Sequence, residues 1–231
     1  MQPKPAPEQD TNIYINVNPS RKLDLVFLID NSKSMDPKQA KLKAQFPKLI
    51  EALRDNTANP PLPDLRIAIV NSDIGTGLSG RCPKQYGDMG IFQMPKATEC
   101  GVNPGATYLE YLQGKNKNFA EGKDIAEVFG CLATNVGVAG CGYEQQLQAL
   151  NWAFNLRENE AQRKAFIRED AYLGIVILTD EDDCSTGAKS MLAAEDKLTT
   201  LESWSLRCAT RGHQCSGANL AYPTNASFEK D

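Results

Sequence analysis

At 231 residues, with 41% hydrophobic and 23% charged side chains, the chain has the size and balance of a large folded domain or one carrying insertions, not of a disordered or fibrous protein. A formal charge of −4 makes no electrostatic case for nucleic acid, which needs a clustered basic face. No apolar run approaches the roughly 20 residues of a membrane-spanning helix.

The opening MQPKPAPEQD is polar and Pro-rich and lacks the apolar stretch of a signal peptide. Residues 1–20 therefore read as a flexible leader, in keeping with a mature N-terminus behind an added start Met, and residues 21–231 as the domain. Leu23 to Asp30 is apolar throughout its centre, as in a strand covered on both faces. After the polar DNSKSM, Asp36-Pro37 opens a helix, Pro being suited to a first turn. Leu42, Phe46, Leu49, Ile50 and Leu53 recur at helical spacing, and Pro47 inside that pattern is expected to kink or divide it. NTANPPLPD is a loop, and LRIAIVNSD from Leu65 is a second buried strand.

From about 74 to 142 the alternation stops, Gly, Pro and Asn become frequent, and four of the seven cysteines appear, so this span reads as an insertion stapled by disulfides. Within it KDIAEVFGCLA is a short amphipathic helix through Ile125, Val128, Phe129 and Leu132. YEQQLQALNWAF follows, with Tyr143, Leu147, Leu150 and Phe154 on one helical face, then a helical stretch near Glu160 to Arg168. LGIVILTD, Leu173 to Asp180, is a third buried strand. Strand, helix, strand, helix, strand is the α/β pattern with a mainly parallel sheet. Beyond Lys189, MLAAEDKLTTLESW suits a helix, and no further strongly apolar strand appears before Asp231.

The cysteines are Cys82, Cys100, Cys131, Cys141, Cys184, Cys208 and Cys215. None forms C-x-x-C, and the single histidine, His213, cannot complete the usual zinc sets, although a site of cysteines alone stays open. Disulfides in an oxidising compartment account for them better and argue for export. By position Cys82 pairs with Cys100 and Cys131 with Cys141. The partners of Cys184, Cys208 and Cys215 stay open, and an odd total leaves one thiol free or paired outside the chain.

In open α/β sheets functional groups gather beyond the C-terminal strand ends. Asp30 and Asp180 both stand there, and Ser32 and Ser34 follow Asp30 at alternate positions. Two carboxylates and two hydroxyls suit a hard divalent ion. A capped turn uses the same residue types and needs no ion. DNSKSM after LVFLI, with VILTDEDD downstream, resembles a von Willebrand factor type A domain. Asp30-Asn31-Ser32-Lys33-Ser34 fits that family's D-x-S-x-S metal-ion-dependent adhesion site, and Asp180 matches its later strand-end aspartate. FGCLA and GCGYEQQLQAL further resemble the Cys-rich A domains of exported bacterial proteins, many of them lipoproteins. The likeness runs from Leu23 to Asp183.

The resemblance implies a three-layer, Rossmann-like α/β domain in which Ser32 and Ser34 bind Mg²⁺, Mn²⁺ or Ca²⁺ directly. Asp30 and Asp180 would anchor the ligand shell, and a partner protein's carboxylate would take the open position. Two departures stand out. Val138 in NVGVAGCGYE occupies the slot of the family's threonine and offers no oxygen, with Thr134 nearby but out of place and Glu144 an alternative donor. The family's last two strands are not evident, so they are atypical or the chain is a piece of something longer. The run Glu181, Asp182, Asp183 reads as a solvated loop rather than a second ion site, and Cys184 is placed to fix it by a disulfide.

Rival chemistries are weaker. GTGLSG, Gly75 to Gly80, has the G-x-G-x-x-G spacing, and Glu99 sits near the place of a ribose-binding acid. The following RCPKQYGDMG is nevertheless a poor start for a phosphate-binding helix. No G-x-S-x-G is present, and His213 lies between two cysteines, so no enzyme activity is expected. The expectation is an exported adhesion or protein-binding module at a bacterial envelope or outside the cell. The alternative is a metal-independent structural piece of an envelope or pilus-like assembly.

Overall fold

The computed structural model describes residues 21–55, 57–58, 60–77 and 82–185. Its centre is β1 (Lys22–Ile29), paired in parallel with β2 (Asp64–Asn71) on one side and β5 (Tyr172–Leu178) on the other. The five-stranded order is β4-β3-β2-β1-β5, with β3 (Leu109–Leu112) antiparallel to β2 and β4 (Lys115–Asn116) antiparallel to β3. The sheet is thus mixed, because the insertion contributes strands of its own. The hairpin turns at Gln113-Gly114, both at positive φ, which suits the twist of a two-residue hairpin.

Alternation along β1 explains the core. Leu25, Phe27 and Ile29 belong to one cluster with Phe46 and Ile50 of α1 (Asp36–Ala52) and Val128, Phe129 and Leu132 of α2 (Ile125–Thr134). Val26 and Leu28 belong to another, with Ala149, Leu150 and Ala153 of α3 (Gln146–Asn155) and Phe166 of α4 (Glu160–Phe166). Phe27, Phe46 and Phe129 stack with ring centroids 4.1–5.7 Å apart and join strand to both helices.

Four expectations change. Pro47 does not divide α1, which runs unbroken from Asp36 to Ala52. Pro47 can offer no N–H to the Lys43 carbonyl, and Gly130 of α2 packs there instead, a Cβ on it lying only 3.9 Å from that oxygen. Helix α3 buries Gln146, Ala149, Leu150 and Ala153, whereas Leu147 is 57% exposed. Its small residues admit the Gly90 turn, where any Cβ would lie 2.5 Å from the Ala153 nitrogen. Strand β5 is not buried on both faces: Val176 and Leu178 pack inward, but Leu173, Ile175 and Ile177 are exposed. Within the described sheet β5 is an edge strand, and its residues take no part in the cluster that α3 and α4 form over β1 and β2.

The cysteines also pair differently. Cys82 joins Cys141 and Cys100 joins Cys131, with Cα separations of 4.9 and 5.6 Å. Pairing nearest neighbours assumed that each loop closes on itself. Instead Cys131 rides on α2 and reaches back to the loop around Cys100, while Cys141 and Cys82 cluster with Tyr143 just before α3. Cys184 is disulfide-bonded as well. Cys208, Cys215, His213, the leader, the expected helix at MLAAEDKLTTLESW and the question of terminal strands lie outside the described residues. No described helix is long and apolar enough to cross a membrane.

Candidate functional site

The C-terminal ends of β1, β2 and β5 lie side by side, and their next residues converge. Asp30 continues the ladder through its N–H to the Leu178 carbonyl at 2.9 Å and is fully buried. Its Oδ1 accepts from the Ser32 N–H at 2.8 Å and the Ser72 hydroxyl at 3.1 Å, and its Oδ2 from the Thr179 hydroxyl at 2.8 Å. All three donors are neutral. Asp30 therefore organises the loop and ties three strand ends together, while its negative charge stays uncompensated by any basic side chain among the described residues.

The turn that Asp30 closes sets Ser32 and Ser34 facing each other, their Oγ atoms 2.9 Å apart. Ser34 donates to Asp180 Oδ1 at 3.1 Å, and Lys38 in the first turns of α1 ion-pairs with Asp180 Oδ2. The bonded ammonium holds the Asp180 carboxyl below its usual range. All four predicted residues, Asp30, Ser32, Ser34 and Asp180, are thus brought into one linked group.

Glu144 joins them from the segment before α3. It is 2% exposed and accepts a hydrogen bond from Ser32. Burial first, then the nearby Glu181 and Asp30 carboxylates, push its carboxyl up to about 7. Burial and Asp180 likewise raise Glu181. The loop expected to supply a threonine does flank the site. The Gly137 carbonyl accepts from Gln39 Nε2 at 2.6 Å, and the Gly140 N–H donates to the Asn31 carbonyl at 2.8 Å. Val138 between them brings no oxygen, and Thr134 spends its hydroxyl on the Gly130 carbonyl within α2. Gly140 leaves room for the Asn31 side chain, since a Cβ there would fall 2.2 Å from Asn31 Oδ1 and force that amide to move. That oxygen is buried and has no hydrogen-bond partner among the described residues.

Whether these groups fit a divalent ion can be judged from spacing and chemistry. Octahedral Mg²⁺ with oxygens at about 2.0–2.1 Å places adjacent ligands about 2.9 Å apart. The Ser32–Ser34 and Ser34–Asp180 oxygen separations of 2.9 and 3.1 Å match that edge. Hydroxyl and carboxylate oxygens are the hard donors such an ion takes, so the residues fit. Among the described residues no group of three His, Cys, Asp or Glu side chains is arranged to hold a metal, so an ion here would need the two hydroxyls among its donors.

Elsewhere, Asp183 accepts from the Leu147 N–H at 3.0 Å and so caps α3, which gives one member of the acidic run a structural task. Gly75 and Gly77 hold positive φ in a loop, and among the described residues no helix starts between β2 and α2 to receive a pyrophosphate. Sequence reading missed Ser72, Thr179 and Lys38. Ser72 and Thr179 carry a usable signal, since each is the first residue after a largely apolar parallel strand. Comparison with family models and with curated proteins finds no match to this chain.

Proposed function

We propose that this chain is a von Willebrand factor A-like, three-layer adhesion or protein-binding module of an exported bacterial protein. Asp30, Ser32, Ser34 and Asp180 hold Mg²⁺, or Mn²⁺ or Ca²⁺ in its place, and the ligand offers a carboxylate to the open position. The observation that carries the reading is the contact of Asp180 with Ser34, 146 residues apart in sequence, with Ser32 and buried Asp30 behind them. The ion would supply a strong positive centre for an anionic ligand. The chain's own residues orient the hydroxyls and keep the crevice acidic before the ion arrives. Disulfides at Cys82–Cys141 and Cys100–Cys131 support export. No catalytic role is assigned.

A metal-independent structural role in an envelope or pilus-like assembly draws support from β5, whose Leu173, Ile175 and Ile177 are exposed in a row. Calorimetric titration of the chelator-treated, non-reduced protein with Mg²⁺, Mn²⁺ and Ca²⁺ separates the two. Saturable binding that an Asp30→Ala variant loses is expected. Absence of binding at millimolar metal would remove the adhesion site and leave the assembly role.

A further inference from the structure

Lys38 is out of place by ordinary helix electrostatics. It lies in the first turn of α1, where backbone N–H groups point outward and acidic side chains are favoured over basic ones. Its ammonium nonetheless turns to the crevice and pairs with Asp180 Oδ2, although the Lys38 side chain is 48% exposed and the Asp180 side chain only 14%. Among the described residues it is the only basic group ion-paired with any of Asp30, Glu144, Asp180 and Glu181. One positive charge faces four carboxyl groups, two of them almost wholly buried.

Both oxygens of Asp180 are therefore in use. Oδ1 takes the Ser34 hydroxyl and Oδ2 takes Lys38. A divalent ion seated at the Ser32, Ser34 and Asp180 oxygens would stand within a few ångströms of that ammonium. Like charges at such a distance, partly shielded from water, repel strongly enough that both cannot keep those places. The lysine stem has the length and exposure to swing out, which the buried carboxylates cannot do.

We propose that Lys38 is a tethered competitor for the divalent ion, an ammonium that occupies the Asp180 corner of the site and must leave before the metal can enter. The inference rests on the cation site proposed above. It makes metal affinity a balance between the ion's gain and the lost Lys38–Asp180 pair. The metal-free protein then keeps the charge of Asp180 alone offset within a still acidic crevice, and loading requires a metal concentration high enough to displace an internal cation. Each binding event also frees an ammonium at the crevice rim.

The test is titration of the full, non-reduced chain with Mn²⁺ alone, read as loss of the free-ion electron paramagnetic resonance signal. Wild type, Lys38→Met and Asp30→Ala are compared, with unfolding midpoints confirming that each is folded. The Lys38 side chain is followed separately by nuclear magnetic resonance of its Nζ and Cε as Mg²⁺ is added. Lys38→Met is expected to bind Mn²⁺ about tenfold tighter or more at unchanged stoichiometry, a difference of about 1.4 kcal/mol. The wild-type Lys38 resonances are expected to move to free-lysine positions on loading. Binding by Lys38→Met where wild type shows none would support the proposal in its strongest form. Equal or weaker binding by Lys38→Met, with Asp30→Ala inactive, would overturn the competitor while leaving the cation site standing. No binding by wild type or Lys38→Met would overturn both.

Discussion

Asp24 and Asp30 belong to the same central strand and its first following residue, and each is almost completely buried, yet their surroundings are opposite in kind. Asp24 is clasped by Arg168, whose backbone N–H and Nε reach its two oxygens at 2.8 and 2.9 Å. The same guanidinium also bonds the Leu23 and Asp64 carbonyls. Charge and hydrogen-bond demand are both met, and this end of the sheet is closed. Asp30 receives three neutral donors and has Glu144 and Glu181 for company. Its geometry is equally well specified, but negative charge is left over. The difference suits the proposed division of labour: compensation by a fixed cation is what a structural carboxylate needs, whereas organisation by neutral donors would leave Asp30 free to serve the proposed cation site.

The largest effect should come from the closed end. Arg168→Met leaves Asp24 buried without its cation and is expected to cost about 3–5 kcal/mol in denaturant unfolding. A loss below about 1 kcal/mol would show that the Arg168–Asp24 pair does not hold this end of the sheet together. The open end should reveal itself through pH. Glu144 holds its proton up to about 7 when folded, against an ordinary value of 4.5. Between those values the folded chain binds more protons than the unfolded one, so metal-free stability falls as pH rises through the window. The Glu144 share of this loss is expected to total up to about 3 kcal/mol and to disappear in Glu144→Gln, leaving the smaller dependence that the raised Glu181 carboxyl contributes with the same sign.

The smallest effect is the sharpest contrast. Asp24→Asn strips Arg168 of charged hydrogen bonds and should cost about 2 kcal/mol. Asp30→Asn keeps an oxygen for Ser32 and Ser72, and the Thr179 hydroxyl can turn to accept from the new amide. It should cost about 1 kcal/mol or less while abolishing metal binding. Equal costs at the two positions would erase the distinction between the ends.

Much of the fold and half of the site are legible in the residue pattern. Asp30, Ser32, Ser34 and Asp180 are readable because a strand-ending carboxylate is a local feature, and three strands bring their ends to one side whenever they run parallel. Ser72 and Thr179 are legible in retrospect by the same rule. Lys38 is not, since nothing in the order of residues says which lysine of an exposed helix turn will swing inward. The β3–β4 hairpin escaped notice because two short strands around Gln113-Gly114 carry too few side chains to show a period.

What this sequence determines alone is local and periodic: apolar runs long enough for β1, β2 and β5, the helix entry at Asp36-Pro37, and oxygen-bearing side chains where those strands stop. Such features follow from steric and solvation preferences that act over a few residues. Tertiary structure alone decides which cysteines meet, which face of α3 is buried, that β5 stands at an edge of the described sheet, and that Glu144 and Lys38 enter the crevice. Those outcomes depend on distances between segments far apart in the chain, and only packing the whole set of elements brings such segments together.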